Sequence, residues 1–117
     1  MQLESELLEN HILKITLDGR LDIAGTAAID MKFKALTATR KAAILVDMSR
    51  VSFLASSGTR TLLSCAQTNS KRGGKMILFN PQPLVRDVLN TSGVAALIPI
   101  YDDLEAAKES LREFRPI

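Results

Sequence analysis

Residues 43–60 read AILVDMSRVSFLASSGTR. Ile44-Leu45-Val46 is apolar at consecutive positions, the pattern of a short interior strand covered on both faces, predicted from Ile44 to Asp47. Ser49-Arg50-Val51 is expected to turn the chain and Ser52-Phe53-Leu54 to lead on to Ser56-Ser57-Gly58-Thr59, where helical periodicity begins. That helix is expected from about Ser57 to Lys71, with Leu62, Leu63 and Ala66 facing the core and Arg60, Gln67, Asn69 and Ser70 outside or at its edge. Strand, loop and paired hydroxyls at a helix entrance make a place for a switchable group.

On the N-terminal side, Gln2–Leu8 and Ile12–Leu17 alternate with period two and predict an antiparallel hairpin with Glu9-Asn10 as its turn and His11 solvated at the tip. Asp18-Gly19 is expected to end the second strand. A helix is expected from about Ala24 to Arg40, its apolar stripe made by Ile29, Phe33 and Leu36. Asp22 lies just ahead of it, where a carboxylate favours the positive end of the helix dipole.

On the C-terminal side, Lys71-Arg72-Gly73-Gly74 carries basic residues and then glycine, a helix-ending signal. Lys75–Phe79 reads as a strand, and Leu84–Asn90 as a short helix packed through Leu84, Val88 and Leu89 with Arg86 and Asp87 outside. Thr91-Ser92-Gly93 stops it, Ala96–Ile100 is expected as a last strand, and Asp102 with Glu105 has the spacing of a capping box for a final helix striped by Leu104, Ala107, Leu111 and Phe114. Helix and strand alternate after the hairpin, which argues for an α/β fold with parallel neighbours. The hairpin makes the sheet mixed, with four to five strands and about four helices.

The 117 residues suit one domain spanning 1–117, and 46% hydrophobic against 24% charged residues exclude disorder. A net charge of +2 gives no argument for nucleic acid or a membrane surface. No apolar run approaches the roughly 18 residues of a membrane span, and MQLESELLEN lacks a signal-peptide layout, so a cytoplasmic location is the expectation. The lone Cys65 reads as a small core filler.

One Cys and one His cannot make a closed metal site. Neither GxGxxG nor GxxxxGK[ST] occurs, and a Ser-His-acid triad would have to recruit His11 from a hairpin tip without a G-x-S-x-G elbow. No catalytic residue, metal or cofactor is expected, and no enzymatic activity. The serine pair remains, with two roles open to it. A serine at a helix start can cap, for about 1 kcal/mol. A phosphorylated one would carry about −1.5 to −2 charges at pH 7. The free N–H groups of a helix N-terminus tolerate that charge, so a phosphate there can change a docking surface without breaking the fold.

The chain resembles STAS domains of the bacterial anti-sigma factor antagonist type. The resemblance is carried by Leu17-Asp18-Gly19-Arg20-Leu21-Asp22, by Ile44–Ser49 with Val51–Leu54, by Ser56-Ser57-Gly58, and downstream by Arg72–Leu78, Pro83–Arg86 and Ser92-Gly93. It implies a protein that binds an anti-sigma factor, itself a serine kinase, and so frees a sigma factor. Phosphorylation would fall on Ser56, and a PP2C-type phosphatase would reset the switch. It also implies a partner surface at Asp22, Ala55, Ser56, Ser57, Gly58 and Thr59, extended here to Arg60 and Thr91–Val94, on a monomer or weak homodimer with no direct nucleic-acid contact. Ala55 stands where that motif usually has Asp, and Arg20 where Glu is common. Ala55 therefore favours a second reading, a constitutive, non-phosphorylated STAS scaffold or regulatory subunit in a signalling or transporter complex. A third, nucleotide binding, has no phosphate loop behind it.

Overall fold

A computed structural model describes residues 1–8, 11–38 and 43–112. Its elements are β1 (Gln2–Leu7), β2 (Ile12–Leu21), α1 (Ile23–Ala38), β3 (Ala43–Leu54), α2 (Ser56–Lys71), β4 (Lys75–Phe79), α3 (Pro83–Thr91), α4 (Val94–Leu97), β5 (Ile100–Tyr101) and α5 (Leu104–Arg112). The strands form one sheet in the order β1-β2-β3-β4-β5, with β1 antiparallel to β2 and every other pair parallel. The predicted mixed α/β sheet is therefore present, with five strands and five helices among the described residues.

Alternation along β3 divides the core. Ile44, Val46 and Met48 face α1, α2 and α3, against Ile29, Phe33, Leu62, Cys65, Val85 and Leu89. Ala43 and Leu45 face the other way, with Ile12 and Ile77, and are covered by Ala107 and Leu111 of α5. Cys65 is buried, and burial pushes its thiol above the usual range, in keeping with a core filler. No helix among the described residues is long and apolar enough to cross a membrane, and no group of three or more His, Cys, Asp or Glu among them is placed to hold a metal ion.

Several elements differ from the sequence reading. Asp18-Gly19 does not end β2: the chain passes it as an irregularity, with Gly19 at φ +123° and register shifts on either side, and pairing continues to Leu21. Nor does Ser49–Val51 turn the chain. β3 runs unbroken to Leu54, because the Asp47 carboxylate accepts from the Ser49 N–H at 2.9 Å and its hydroxyl at 2.7 Å, satisfying the backbone where β3 carries extra residues against β2.

Asn69, expected at the surface, is fully buried; its amide donates to the Thr37 carbonyl at 3.3 Å, tying α2 to α1. Its own carbonyl accepts from Gly74 at 2.8 Å while Gly73, at φ +85°, donates to Ser70 at 3.0 Å, the paired bonds of a Schellman ending. Leu84 is 76% exposed and Val85 takes the core position instead, because Val85, Val88 and Leu89 stand at i, i+3, i+4 and make the inward stripe of α3. Residues 94–97 form a helical turn rather than strand: Gly93 at φ +84° redirects the chain, and only Ile100-Tyr101 reaches β4. Asp103, not Asp102, caps α5, accepting from the Ala106 N–H at 3.0 Å, while Asp102 pairs with Arg86. His11 is exposed at the hairpin, with φ +62°. The predicted Glu9-Asn10 turn, the end of the first helix at Arg40 and Phe114 lie outside the described residues.

Candidate functional site

The parallel strands β2, β3 and β4 each deliver the chain to a helix at the same end of the sheet, so the starts of α1, α2 and α3 lie together there. Two of these junctions are joined directly: the Ala55 N–H donates to the Leu21 carbonyl at 2.9 Å. Ala55 has extended backbone (φ −95°, ψ 171°) and occupies the N-cap of α2 without making a side-chain cap. Ser56 is therefore the first residue inside the helix, not its cap, and it is exposed. The first helical bond runs from the Thr59 N–H to the Ala55 carbonyl at 3.1 Å. The N–H groups ahead of it have no carbonyl within the helix to reach, and the first turn contains no acidic residue.

The other motif residues hold this turn in place. A Cβ on Gly58 would lie 2.7 Å from Leu54 Cδ1 and 3.2 Å from the Leu21 carbonyl oxygen, so a larger residue would make Leu54 move and crowd the end of β2 where α2 starts. Thr59 is buried, its hydroxyl donating to the Ser56 carbonyl at 2.8 Å. Ser57 is half-buried, its Oγ 3.5 Å from Thr26 Oγ1 on α1. Of the two serines, Ser56 is the one that presents its hydroxyl outward.

Asp22 sits across the junction and does structural work: its Oδ1 accepts from the Gly25 N–H at 2.8 Å, capping α1. That bond, with Arg20 next to it, holds the carboxyl below the usual carboxylate range despite some desolvation. Arg20 Nε lies 3.5 Å from Asp22 Oδ2, and its guanidinium carbon lies 4.4 Å from the centroid of the half-exposed Phe53 ring. Arg20 is thus held by two neighbours beside the serine turn.

A groove of about 480 Å³ runs between α1 and α2 from this end, lined by Ile23, Thr26, Met31, Ser57, Arg60 and Thr61. Ile23 and Met31 are largely exposed. Asp30 in the same groove is engaged by Lys34 at 2.9 Å and by the Thr61 hydroxyl at 3.2 Å. Arg60 is exposed and forms no ion pair or side-chain hydrogen bond among the described residues.

The structure brings Asp22, Ala55, Ser56, Ser57, Gly58 and Thr59 together at one end of the sheet. Thr91–Val94 is not part of that cluster. It lies at the far end of α3, and the following α4 places Leu97 against Ala66, Ser70 and Lys71, the opposite end of α2 from Ser56. The sequence pattern does not contain the groove or the Phe53 seat for Arg20. The signal for the groove is Ile23 and Met31, apolar residues of α1 that fall outside its Ile29, Phe33 and Leu36 stripe and are exposed.

The STAS domain family's sequence profile matches residues 5–107. The anti-sigma F factor antagonist of Paenibacillus polymyxa is 28% identical over 106 residues, which span 88% of this chain and 90% of that protein. The Bacillus cell fate determinant and anti-sigma factor antagonist SpoIIAA, 26% identical, superimposes in its unphosphorylated form with a TM-score of 0.76 over 93% of this chain and 96% of its own. Its phosphorylated form gives 0.68 over 93% and 99%. An anti-sigma factor antagonist from Mycobacterium paratuberculosis shares the fold at a TM-score of 0.83, with 22% identity over 95% of this chain and 93% of that one. The chain belongs to the STAS domain family.

Proposed function

We propose that this protein is an anti-sigma factor antagonist that binds an anti-sigma serine kinase through the junction around Ser56 and is released when Ser56 is phosphorylated, with a PP2C-type phosphatase restoring the binding form. The relatives named above are anti-sigma factor antagonists, and one of them has been solved both with and without its phosphate. The observation that carries the reading is the placement of Ser56: an exposed hydroxyl in the first turn of α2, a turn whose leading N–H groups have no carbonyl within the helix to reach and which contains no acidic residue. A phosphate on it faces the positive end of the helix dipole and leaves the core untouched. On the docking face, the same phosphate puts about two negative charges where a partner sits, and like-charge juxtaposition at an interface costs several kcal/mol.

The test is incubation with ATP and the candidate anti-sigma kinases of the host, read by intact mass and peptide mapping. A single phosphate on Ser56 supports the switch. Ala55 favours a second reading, an antagonist that binds without being modified. Binding to one of the kinases with no phosphate transferred would select it, and neither binding nor phosphate would reject both.

A further inference from the structure

We propose that Arg60 is the internal ion-pair partner of a phosphate carried by Ser56, its guanidinium donating to the phosphate oxygens, so that modification ties up the cation at the rim of the α1–α2 groove; the inference rests on the phosphorylation proposed above. Arg60 follows Ser56 by four residues on α2. Side chains at that spacing share a helix face, with Cβ atoms about 5–6 Å apart. A long side chain on a helix leans toward the N-terminus and covers the turn before its own Cα, which here is the serine turn. An acid placed four residues ahead of a base is also the favourable order.

The other charged groups at this end are already engaged. Asp22 accepts from Gly25 and lies beside Arg20, Arg50 lies 3.8 Å from Asp18, and Asp30 is held by Lys34 and Thr61. Arg60 alone on the first two turns of α2 carries a charge, and it has no partner among the described residues. A phosphoserine at position 56 would offer its oxygens both to the Arg60 guanidinium and to the open N–H groups of the first turn, a charge-assisted pairing. In the unmodified protein, Arg60 stands open beside Ile23 and Met31 to a carboxylate of the kinase. Phosphorylation then removes a docking cation as well as adding negative charge.

The experiment installs phosphoserine at position 56 during translation, with no kinase involved. The second ionisation of the phosphate is then followed by phosphorus NMR at low salt in otherwise unchanged protein and in Arg60→Ala, Arg60→Gln and Arg20→Ala backgrounds, each checked for folding by circular dichroism. Both Arg60 variants are expected to raise that pKa by roughly 0.15–0.4 pH units, the size of an i,i+4 ion pair, and Arg20→Ala to leave it in place. A phosphate pKa unmoved by both Arg60 variants overturns the assignment. Because the phosphate arrives without a kinase, that result is independent of whether any kinase modifies Ser56.

Discussion

The Ala55 N–H donates to the Leu21 carbonyl at 2.9 Å, closing the ends of β3 and β2 on each other. Asp22 is the next residue after one partner and Ser56 the next after the other, so this bond, continuing the β2–β3 pairing, holds the two helix starts side by side. Gly25 and Gly58 then allow each helix to leave its strand at close quarters. The outward-facing Ser56 is a product of this packing rather than of any bond made by its own hydroxyl.

If Ser56 lies at the centre of the kinase interface, substitutions there separate charge from shape. Ser56→Ala removes only a solvent-facing hydroxyl and is expected to leave affinity within about threefold. Ser56→Asp places a charge at the interface and is expected to weaken binding at least tenfold, about 1.4 kcal/mol. Titration calorimetry against the cognate anti-sigma factor decides between them, and equal affinity for the two variants would count against an interface centred on this residue.

Gly25→Ala sets two effects of opposite sign against each other. Helix propensity alone predicts a gain of about 1 kcal/mol for alanine inside α1. The added Cβ, however, would lie 1.9 Å from the Arg20 carbonyl oxygen, which is backbone and fixed by the β2 pairing. The clash is expected to win, with a net loss of about 2 kcal/mol or more. A urea titration that returns an unchanged or higher midpoint would show that the start of α1 can shift away from β2.

The order of the long elements was legible because each left a clear period: alternation in Ile12–Leu17, a solid apolar run at Ile44–Val46, an i, i+4, i+7 stripe in α1. What misled was local chemistry overridden by neighbours. Gly19 has a turn signal, yet β3 pairs past it, and the positive φ is absorbed within the strand. Ser49 has another, yet the Asp47 carboxylate answers its backbone and the strand continues. Asn69 is polar, but Thr37 on a different helix supplies the partner that lets it be buried, and no single-helix pattern contains that information. At the site, the order Asp22…Ser56-Ser57-Gly58 was readable as a motif, whereas the groove depends on how α1 and α2 lie side by side.

The depressed pKa of Asp22 fixes the sign of its pH effect. A carboxyl whose folded-state pKa lies below its unfolded value stabilises the fold fully above the unfolded value of about 3.9, and that contribution is lost as pH falls through the folded value. Asp22→Asn keeps an oxygen for the Gly25 N–H but loses the charge next to Arg20. It is expected to be slightly less stable than the parent at pH 7, with the difference closing below about pH 4. Chemical denaturation of both proteins at pH 7 and pH 3 measures this, and a gap that persists unchanged at pH 3 would mean the loss comes from capping geometry rather than from charge.

Ala55→Asp tests what the acid usual in this motif contributes. Residue 55 already has the extended backbone of an N-cap, and its side chain makes no cap. An aspartate there can accept from the open N–H groups of the first turn and oppose the helix dipole, which is expected to add about 1 kcal/mol and raise Tm by roughly 4 °C. The same carboxylate would compete with a phosphate on Ser56 for those N–H groups. If the motif's acid serves only the helix, Ala55→Asp gains stability and leaves the rate of Ser56 phosphorylation unchanged. If it serves kinase docking, the rate changes as well, and thermal melts read beside phosphate incorporation on the same samples separate the two roles. A melt that does not move at all would show that the first turn of α2 prefers water to a cap, and that Ala55 costs this chain nothing in stability.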